Sequence, residues 1–439
     1  MSSQQPVTLT THTAYPLPTQ KYLIPTSWKR YHLSQLVNKA LSLSQPIPFD
    51  FIIRDQILKT SLGEWCSENN VGEEETIEIE YVESVLPPQK MSDFPHDDWV
   101  SSIICDIQGC LITAAYDGHI RAFDYSKNML ASAPVHSAPI TSCTIVPSTT
   151  TGDTLTIAST SHDLTASLSH FKISPSSTPS SNTPGTILAT LHLHTSPLSS
   201  ISSNTSGTHL LTSSWDGLIG LWDTTIPIID EVPNINDDDG HEKKKKKRKT
   251  ENEIKPRRKA PINVLKSHSG RVSKVVFGET INSDIAYSCG FDSTIRIWDI
   301  QNGVSTHTIT AAEKPFLDLA ISPDGRHALS TSTDRTLTLY DLHSKSTPQS
   351  TSFLHPSTPS CLSLSTNANQ VVTGAYDGIA RIWDLRSTKD AMTSFKIGGS
   401  DEGGGVMKKI LDVDWKRGVV GVAGEGGVEV WRVGEEARK

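Results

Sequence analysis

The amino-acid sequence predicts an all-β seven-bladed propeller preceded by a small α+β domain, and three observations predict it. One short unit recurs seven times between residues 113 and 432. Histidines recur at a similar distance ahead of several copies. Residues 1–85 lack the unit and mix strand-like and helix-like patterns. Repetition with a period of 20–50 residues is the mark of a repeat architecture, so it sets the frame for everything else.

The unit places small residues before an aromatic or polar residue, then Asp, a turn residue, and alternating apolar residues closed by an aromatic and Asp. Its clear copies are TAAYDGHIRAFD (113–124), TSSWDGLIGLWD (212–223), SCGFDSTIRIWD (288–299), STSTDRTLTLYD (330–341) and TGAYDGIARIWD (373–384). ASTSHDLTASLS (158–169) loses the closing aromatic–Asp at Leu168–Ser169, and GVAGEGGVEVWR (421–432) has Glu425 for the Asp and Arg432 after the Trp. Each copy reads as strand, turn, strand, because apolar residues alternate with the period of a half-buried strand. Most intervals between turn acids run from 42 to 53 residues, while Asp216 to Asp292 spans 76. The excess is expected to be a loop insertion.

Asp117, Asp163, Asp216, Asp292, Asp334 and Asp377 could be taken for metal ligands or catalytic carboxylates. Equivalent positions in one repeat are better read as turn devices, since Asp side chains bond the backbone two residues on. His136, His194, His268 and His355 lie about 20–27 residues before their turn acids. This is the histidine pattern of WD-repeat propellers, in which His, Ser or Thr, Asp and Trp tie a blade together. Seven blades of four strands close into a ring and leave few exposed sheet edges. Only eight residues follow Trp431, too few for an outer strand, so the last blade is expected to draw that strand from within residues 86–98. The propeller itself is assigned to residues 99–435.

The segment 1–85 reads in order as strands at 7–14 and 20–25, a helix over 27–42 and a strand at 49–58 broken by a turn at Arg54–Asp55. A short helix over 60–69 capped by Thr60 or Ser61 follows, and then a strand at 76–82. That order is the ubiquitin β-grasp. The segment runs into VLPPQ without a di-glycine tail, which predicts a docking module rather than a conjugated tag.

Composition narrows the function. The chain has 439 residues, 36% hydrophobic and 20% charged, with a formal net charge of −8. Those values fit a globular protein and argue against general nucleic-acid binding. No apolar run approaches the ~20 residues of a membrane span, and the N-terminus has neither the basic start nor the apolar core of a secretory signal. Six scattered cysteines without a CxxC pair argue against zinc and against a disulfide framework. No phosphate-binding loop, nucleophile elbow or HExxH is present, and GEGG (424–427) and GGGV (403–406) read as blade turns. A non-enzymatic protein without an intrinsic cofactor is expected.

Two stretches are expected to be disordered: ISPSSTPSSNTPG (173–185) and the charged insertion 224–262. The insertion carries Lys243, Lys244, Lys245, Lys246, Lys247, Arg248 and Lys249, with Lys255, Arg257, Arg258 and Lys259 beyond them. A flexible basic block of this kind is the form of a nuclear localisation signal; a solvated loop and RNA contact are the other readings. Glu73, Glu74 and Glu75 precede the last strand of the small domain, and taken alone they read as a solvated acidic loop.

SWKRYHLSQLVNKAL, PIPFDFIIRDQILKTSL, IEYVESVLPP and DWVSSI resemble the eukaryotic WD-repeat ribosome-biogenesis family called YTM in fungi. That family is the propeller member of the pescadillo and block-of-proliferation (PeBoW-type) complex. The likeness covers essentially the whole chain, including the basic insertion between the third and fourth repeats. It implies a scaffold in maturation of the large (60S) subunit, acting in 27S pre-rRNA processing on the 66S pre-ribosome in nucleolus and nucleoplasm. It implies a propeller bound to the block-of-proliferation partner and a ubiquitin-like domain docked on the adhesion site of the AAA ATPase midasin. There an acidic side chain of the ligand completes a magnesium shell, and midasin pulls the protein off the particle. The family's ligand lies seven positions before the tyrosine of the last strand; with Tyr81 as that tyrosine, it is Glu74, with Glu73 and Glu75 close enough to substitute. A Notchless-type factor shares this architecture but carries eight repeats. A substrate receptor of a ubiquitin ligase would carry an F-box or adaptor motif, and none is evident.

Overall fold

The computed structural model describes residues 3–434 except 44, 108, 148–153, 174–182, 234–254, 279–283, 311–313, 344–349, 367–368 and 399–407. The small domain comprises β1 (Gln4–Thr10), β2 (Lys21–Pro25), α1 (Arg30–Leu41), β3 (Phe49–Ile53), β4 (Gln56–Ile57), α2 (Leu62–Glu68) and β5 (Ile77–Glu83). Its sheet runs β2-β1-β5-β3-β4, with β1 and β5 parallel at the centre. This is the β-grasp order. α1 lays Leu33 and Val37 against Val7, Leu9, Phe49, Phe51, Ile79 and Tyr81, as its apolar spacing dictates. Ser61 rather than Thr60 caps α2: its hydroxyl accepts from Glu64 N–H at 3.3 Å, and Glu64 accepts in return from Ser61 N–H at 3.1 Å, a capping box. The first strand ends at Thr10, not near residue 14 as expected. The Thr11 hydroxyl donates to the Tyr81 carbonyl at 2.6 Å, and the backbone ladder stops there.

Seven sheets form the propeller, five of four strands and two, blades one and two, of five. Their innermost strands are Val100–Ile104, Ile140–Val146, Leu198–Ser203, Val272–Phe277, Phe316–Ile321, Pro359–Leu364 and Ile410–Lys416. The outer strand of blade seven is β6 (Gln89–Phe94), which pairs antiparallel with Gly427–Arg432. Side chains latch neighbouring inner strands. Ser200 accepts from Val275 N–H at 2.9 Å, Asp318 from Leu362 N–H at 2.9 Å and Ser363 from Trp415 N–H at 3.0 Å. Across the closure, Asp412 and Asp414 accept from Ile103 and Cys105 N–H at 2.9 and 2.7 Å. Burial, with the neighbouring Asp318 and Asp414 carboxylates, pushes the Asp412 carboxyl up to about 7 against the opposing pull of Lys274 and the Ile103 N–H. All six cysteines are free and buried.

The insertion is not wholly irregular. Residues 257–259 form a strand parallel to Thr186–His192 on the outer edge of blade two, which corrects the expectation of disorder over 224–262. The reason is Lys259: it is buried, donates to the Thr225 carbonyl and pairs with Asp223, because a buried ammonium needs a charged partner. Likewise Thr183–Pro184 pairs with Ala131–Ser132 of blade one, so the Ser/Thr/Pro stretch is ordered at its end; residues 174–182 lie outside the described residues.

Candidate functional site

Gly72 and Glu75 close a tight turn, with Glu75 N–H donating to the Gly72 carbonyl at 3.1 Å. The buried Gln5 side chain pins that turn from below, donating to Gly72 O at 3.0 Å and Glu75 O at 2.6 Å. Glu73 and Glu74 are thereby left at the tip, and all three glutamates are exposed. Glu75 is engaged by the Arg54 guanidinium at 2.7 Å. Among the described residues neither Glu73 nor Glu74 has a side-chain partner. The structure thus separates three adjacent glutamates that sequence alone left equivalent: one is tied down, two are presented on a braced turn.

The six turn aspartates share one geometry. Oδ1 of Asp117, Asp163, Asp216, Asp292, Asp334 and Asp377 accepts from the N–H two residues on, at 2.9–3.3 Å. What meets the other oxygen differs between blades. In blade four Trp298 Nε1 donates to Ser288 Oγ at 2.8 Å, Ser288 meets His268 Nε2 at 2.7 Å, and His268 Nδ1 meets Asp292 at 2.8 Å. Blade three repeats the chain through Trp222, Thr212, His194 and Asp216. In blade two His136 and Asp163 meet at 2.9 Å, but Ser167 and Ser159 share the other ring nitrogen and no tryptophan takes part.

Blade six departs from expectation. Asp377 is taken by Arg381 at 2.6 Å, and both ring nitrogens of the buried His355 lack partners. A charged guanidinium fork outcompetes a neutral imidazole for a carboxylate; burial holds His355 down at about 4. Blade one follows the same scheme with Arg121 on Asp117. Its histidine is His96, which bonds Thr113 at 3.0 Å. Its position, 21 residues before Asp117, is the signal that identifies it. In blade five Lys314 reaches Asp334 at 2.7 Å, and in blade seven Lys409 N–H donates to Glu425 at 3.2 Å.

The residue just before each turn acid is repeatedly aromatic: Tyr116, His162, Trp215, Phe291 and Tyr376. Repeat equivalence puts them on one propeller face. Trp215 is flanked by His162, with ring centroids 5.5 Å apart, and by the Arg271 guanidinium at 4.6 Å; Tyr116 packs on Trp99 at 5.7 Å. Trp99, Trp215, Phe291 and Tyr376 remain 39–45% exposed. Large aromatics with cationic neighbours, left open to solvent, are the residue types that anchor protein interfaces.

Lys243–Lys249 lie outside the described residues. Arg257 and Arg258 sit on the added strand beside Asp230, and Lys259 is buried, so this second basic group belongs to the blade edge. Among the described residues no group of three or more His, Cys, Asp or Glu side chains could hold a metal ion. Among the described residues no helix is long and apolar enough to cross a membrane.

Comparison with known proteins joins both halves of the chain. Residues 6–66 match the NLE (NUC135) domain. Residues 185–223, 259–299, 303–341 and 347–384 match the WD domain, G-beta repeat. The ribosome biogenesis protein YTM1 of Laccaria bicolor is 58% identical over 443 residues, covering 99% of this chain and 96% of that protein. The protein of that name from Coprinopsis cinerea is 54% identical over 444 residues with the same coverage. The one from Neosartorya fischeri is 30% identical over 435 residues, covering 94% and 86%.

Proposed function

The chain belongs to the YTM1 family of ribosome biogenesis proteins, and from that premise we propose that it is a non-catalytic scaffold of large-subunit assembly in the nucleolus and nucleoplasm. The propeller holds a block-of-proliferation-type WD protein, and with it a pescadillo-type protein, on the 66S pre-ribosome. The β-grasp domain docks on the adhesion domain of midasin. Glu74 is its ligand, completing a magnesium shell that the partner carries. The observation that supports this role is the braced acidic tip: Glu74 is exposed, without a side-chain partner among the described residues, and held by Gln5 beneath it.

The chemistry asks for that arrangement. Magnesium takes six oxygens in near-ideal octahedral geometry and usually keeps several waters. A carboxylate arriving from another protein replaces one of them, provided its own backbone does not move to accommodate the site. Glu75, held by Arg54, would have to break an ion pair first; Glu74 would not.

The partner of the propeller is read onto the aromatic face. A chain beginning at residue 86 keeps β6 and so keeps blade seven complete. It should co-purify with the block-of-proliferation protein as the full chain does, while Trp215→Glu should lose that partner without loss of fold. A well-folded truncated chain that fails to co-purify would overturn the assignment of this partner to the propeller.

Import is assigned to Lys243–Lys249. Deleting residues 243–254 should exclude the protein from nuclei and leave its unfolding midpoint unchanged. Extending the deletion through Lys259 should destabilise blade two, because it removes an edge strand and strands Asp223. Normal nuclear accumulation of the shorter deletion, scored by fluorescence, would refute the assignment.

A further inference from the structure

The β-grasp domain rests on blade six. Ile52, Ile57 and Val82 form an apolar cluster with Met392, which follows the last strand-turn unit of that blade. Around them Arg386 reaches Glu80 at 3.2 Å and Lys59 reaches Asp390 at 3.3 Å. At the centre, Thr388 N–H donates to the Asp55 carbonyl at 3.1 Å.

Asp55 is half of an unusual turn. Arg54 and Asp55, between β3 and β4, both have positive φ, 47° and 61°. Two-residue hairpin turns of this kind favour Asn-Gly or Asp-Gly, because side chains crowd the left-handed region. An Arg-Asp pair held there is strained, and strain of this sort persists where the surroundings over-determine it and often marks function. Here both sides of the turn are engaged. Asp55 is bonded to blade six, while the Arg54 guanidinium lies 5.9 Å from the centre of the Trp65 ring and bonds Glu75 at 2.7 Å. Glu75 closes the turn that carries Glu74.

We infer that Arg54–Asp55 is a positioning relay, through which blade six sets the orientation of the Glu74 turn toward the partner's metal. The contacts run without a gap: Thr388 to Asp55, Asp55 to Arg54 along the backbone, Arg54 to Glu75, Glu75 to Glu74. Arg54 touches neither metal nor partner in this scheme; it is a positioning residue, and the propeller acts through it. The inference rests on the docking role proposed for Glu74. It adds that the small domain presents its ligand differently when held by the propeller than when released from it.

The test measures affinity of full-length protein for the isolated midasin adhesion domain in magnesium. Met392→Asp puts a charge into the apolar contact and releases the domain; the Met392 N–H bond to the Ile382 carbonyl needs no side chain, so the blade keeps its edge. Arg54→Ala cuts the relay at its other end. Each should weaken binding by roughly five- to tenfold, the lower range of measured couplings between sites. The double variant should be no weaker than either, since both break one link. Arg54→Lys should restore most of the binding, because an ammonium can still reach Glu75. Amide exchange gives a second readout: Met392→Asp should speed exchange at both Thr388 and Glu75. If Met392→Asp and Arg54→Ala bind as tightly as the parent while Glu74→Gln does not bind, the relay is wrong and the Glu74 reading stands. If Glu74→Gln also binds like the parent, both are wrong.

Discussion

Asp292→Ala should lower the unfolding free energy by about 3 kcal/mol, the cost of removing one partner from a buried, hydrogen-bonded pair. The Asp292 side chain is 5% exposed and that of His268 fully buried. One carboxylate oxygen accepts from His268 and from Ser269 N–H at 3.1 Å, and the other from the Thr294 N–H and hydroxyl. Alanine orphans these donors at once and frees the His268 ring from the Ser288–Trp298 chain. The same substitution at Asp377 leaves Arg381 and an already unpartnered His355, a different local loss. Burial on its own would raise the Asp292 carboxyl, but the bonds from His268, Thr294 and Ser269 bring it down to about 2. A carboxyl lowered on folding contributes stability above its unfolded value, near 4, and that contribution disappears as pH falls toward 2. Urea unfolding at a series of pH values checks both points. The difference between parent and Asp292→Asn should shrink between about pH 4 and pH 2; a difference independent of pH would show that the Asp292 charge is not what ties the blade.

Glu74→Gln should abolish docking on midasin while leaving stability within about ±0.5 kcal/mol, as expected for an exposed turn substitution. Glutamine keeps the length and the turn but gives magnesium a neutral amide oxygen in place of a carboxylate. Alanine removes the ligand altogether and should behave the same way. Aspartate keeps the charge but shortens the reach by one methylene, so it should weaken docking without ending it. In cells the glutamine variant should enter pre-ribosomes and fail to leave, giving a dominant block. Sucrose-gradient fractionation would show it accumulating with 66S particles. A variant that sediments as the parent does would contradict the proposed release step.

The fold was legible because its determinants are local and repeated. Asp292, followed by Ser293 and an alternating strand to Trp298, announces a hairpin by itself, and six further copies at similar spacing turn the hairpin into a ring. The β-grasp order was legible for a similar reason: α1 shows Leu33, Leu36 and Val37 at helical spacing, and β5 alternates cleanly. What stayed hidden depends on partners distant in sequence or on competition for them. Arg121 and Arg381 take their carboxylates from four residues on, but that spacing alone gave no warning that His355 would be left alone, since Arg296 stands four residues after Asp292 and His268 still meets that carboxylate. The strand at 257–259 was masked by its charges, since RRK reads as solvated until Asp223 is seen beside Lys259. The contact of Ile52, Ile57 and Val82 with Met392 could not be read at all. Those residues look like ordinary core, and more than three hundred positions separate them from the residue that covers them. The acidic turn was visible as three glutamates; only Arg54 and Gln5, both remote in sequence, distinguish Glu74 from Glu75.

The measurement that bears most directly on this account is an equilibrium titration of the full-length protein against the isolated midasin adhesion domain, in magnesium and again in EDTA. If Glu74 supplies the sixth oxygen to a metal held by the partner, binding should be present in magnesium and absent in EDTA. It should be lost in Glu74→Ala and kept in Glu73→Ala; Glu75→Ala, which releases Arg54, should weaken it without ending it. Binding that survives EDTA, or that Glu73→Ala removes while Glu74→Ala preserves it, would contradict the account.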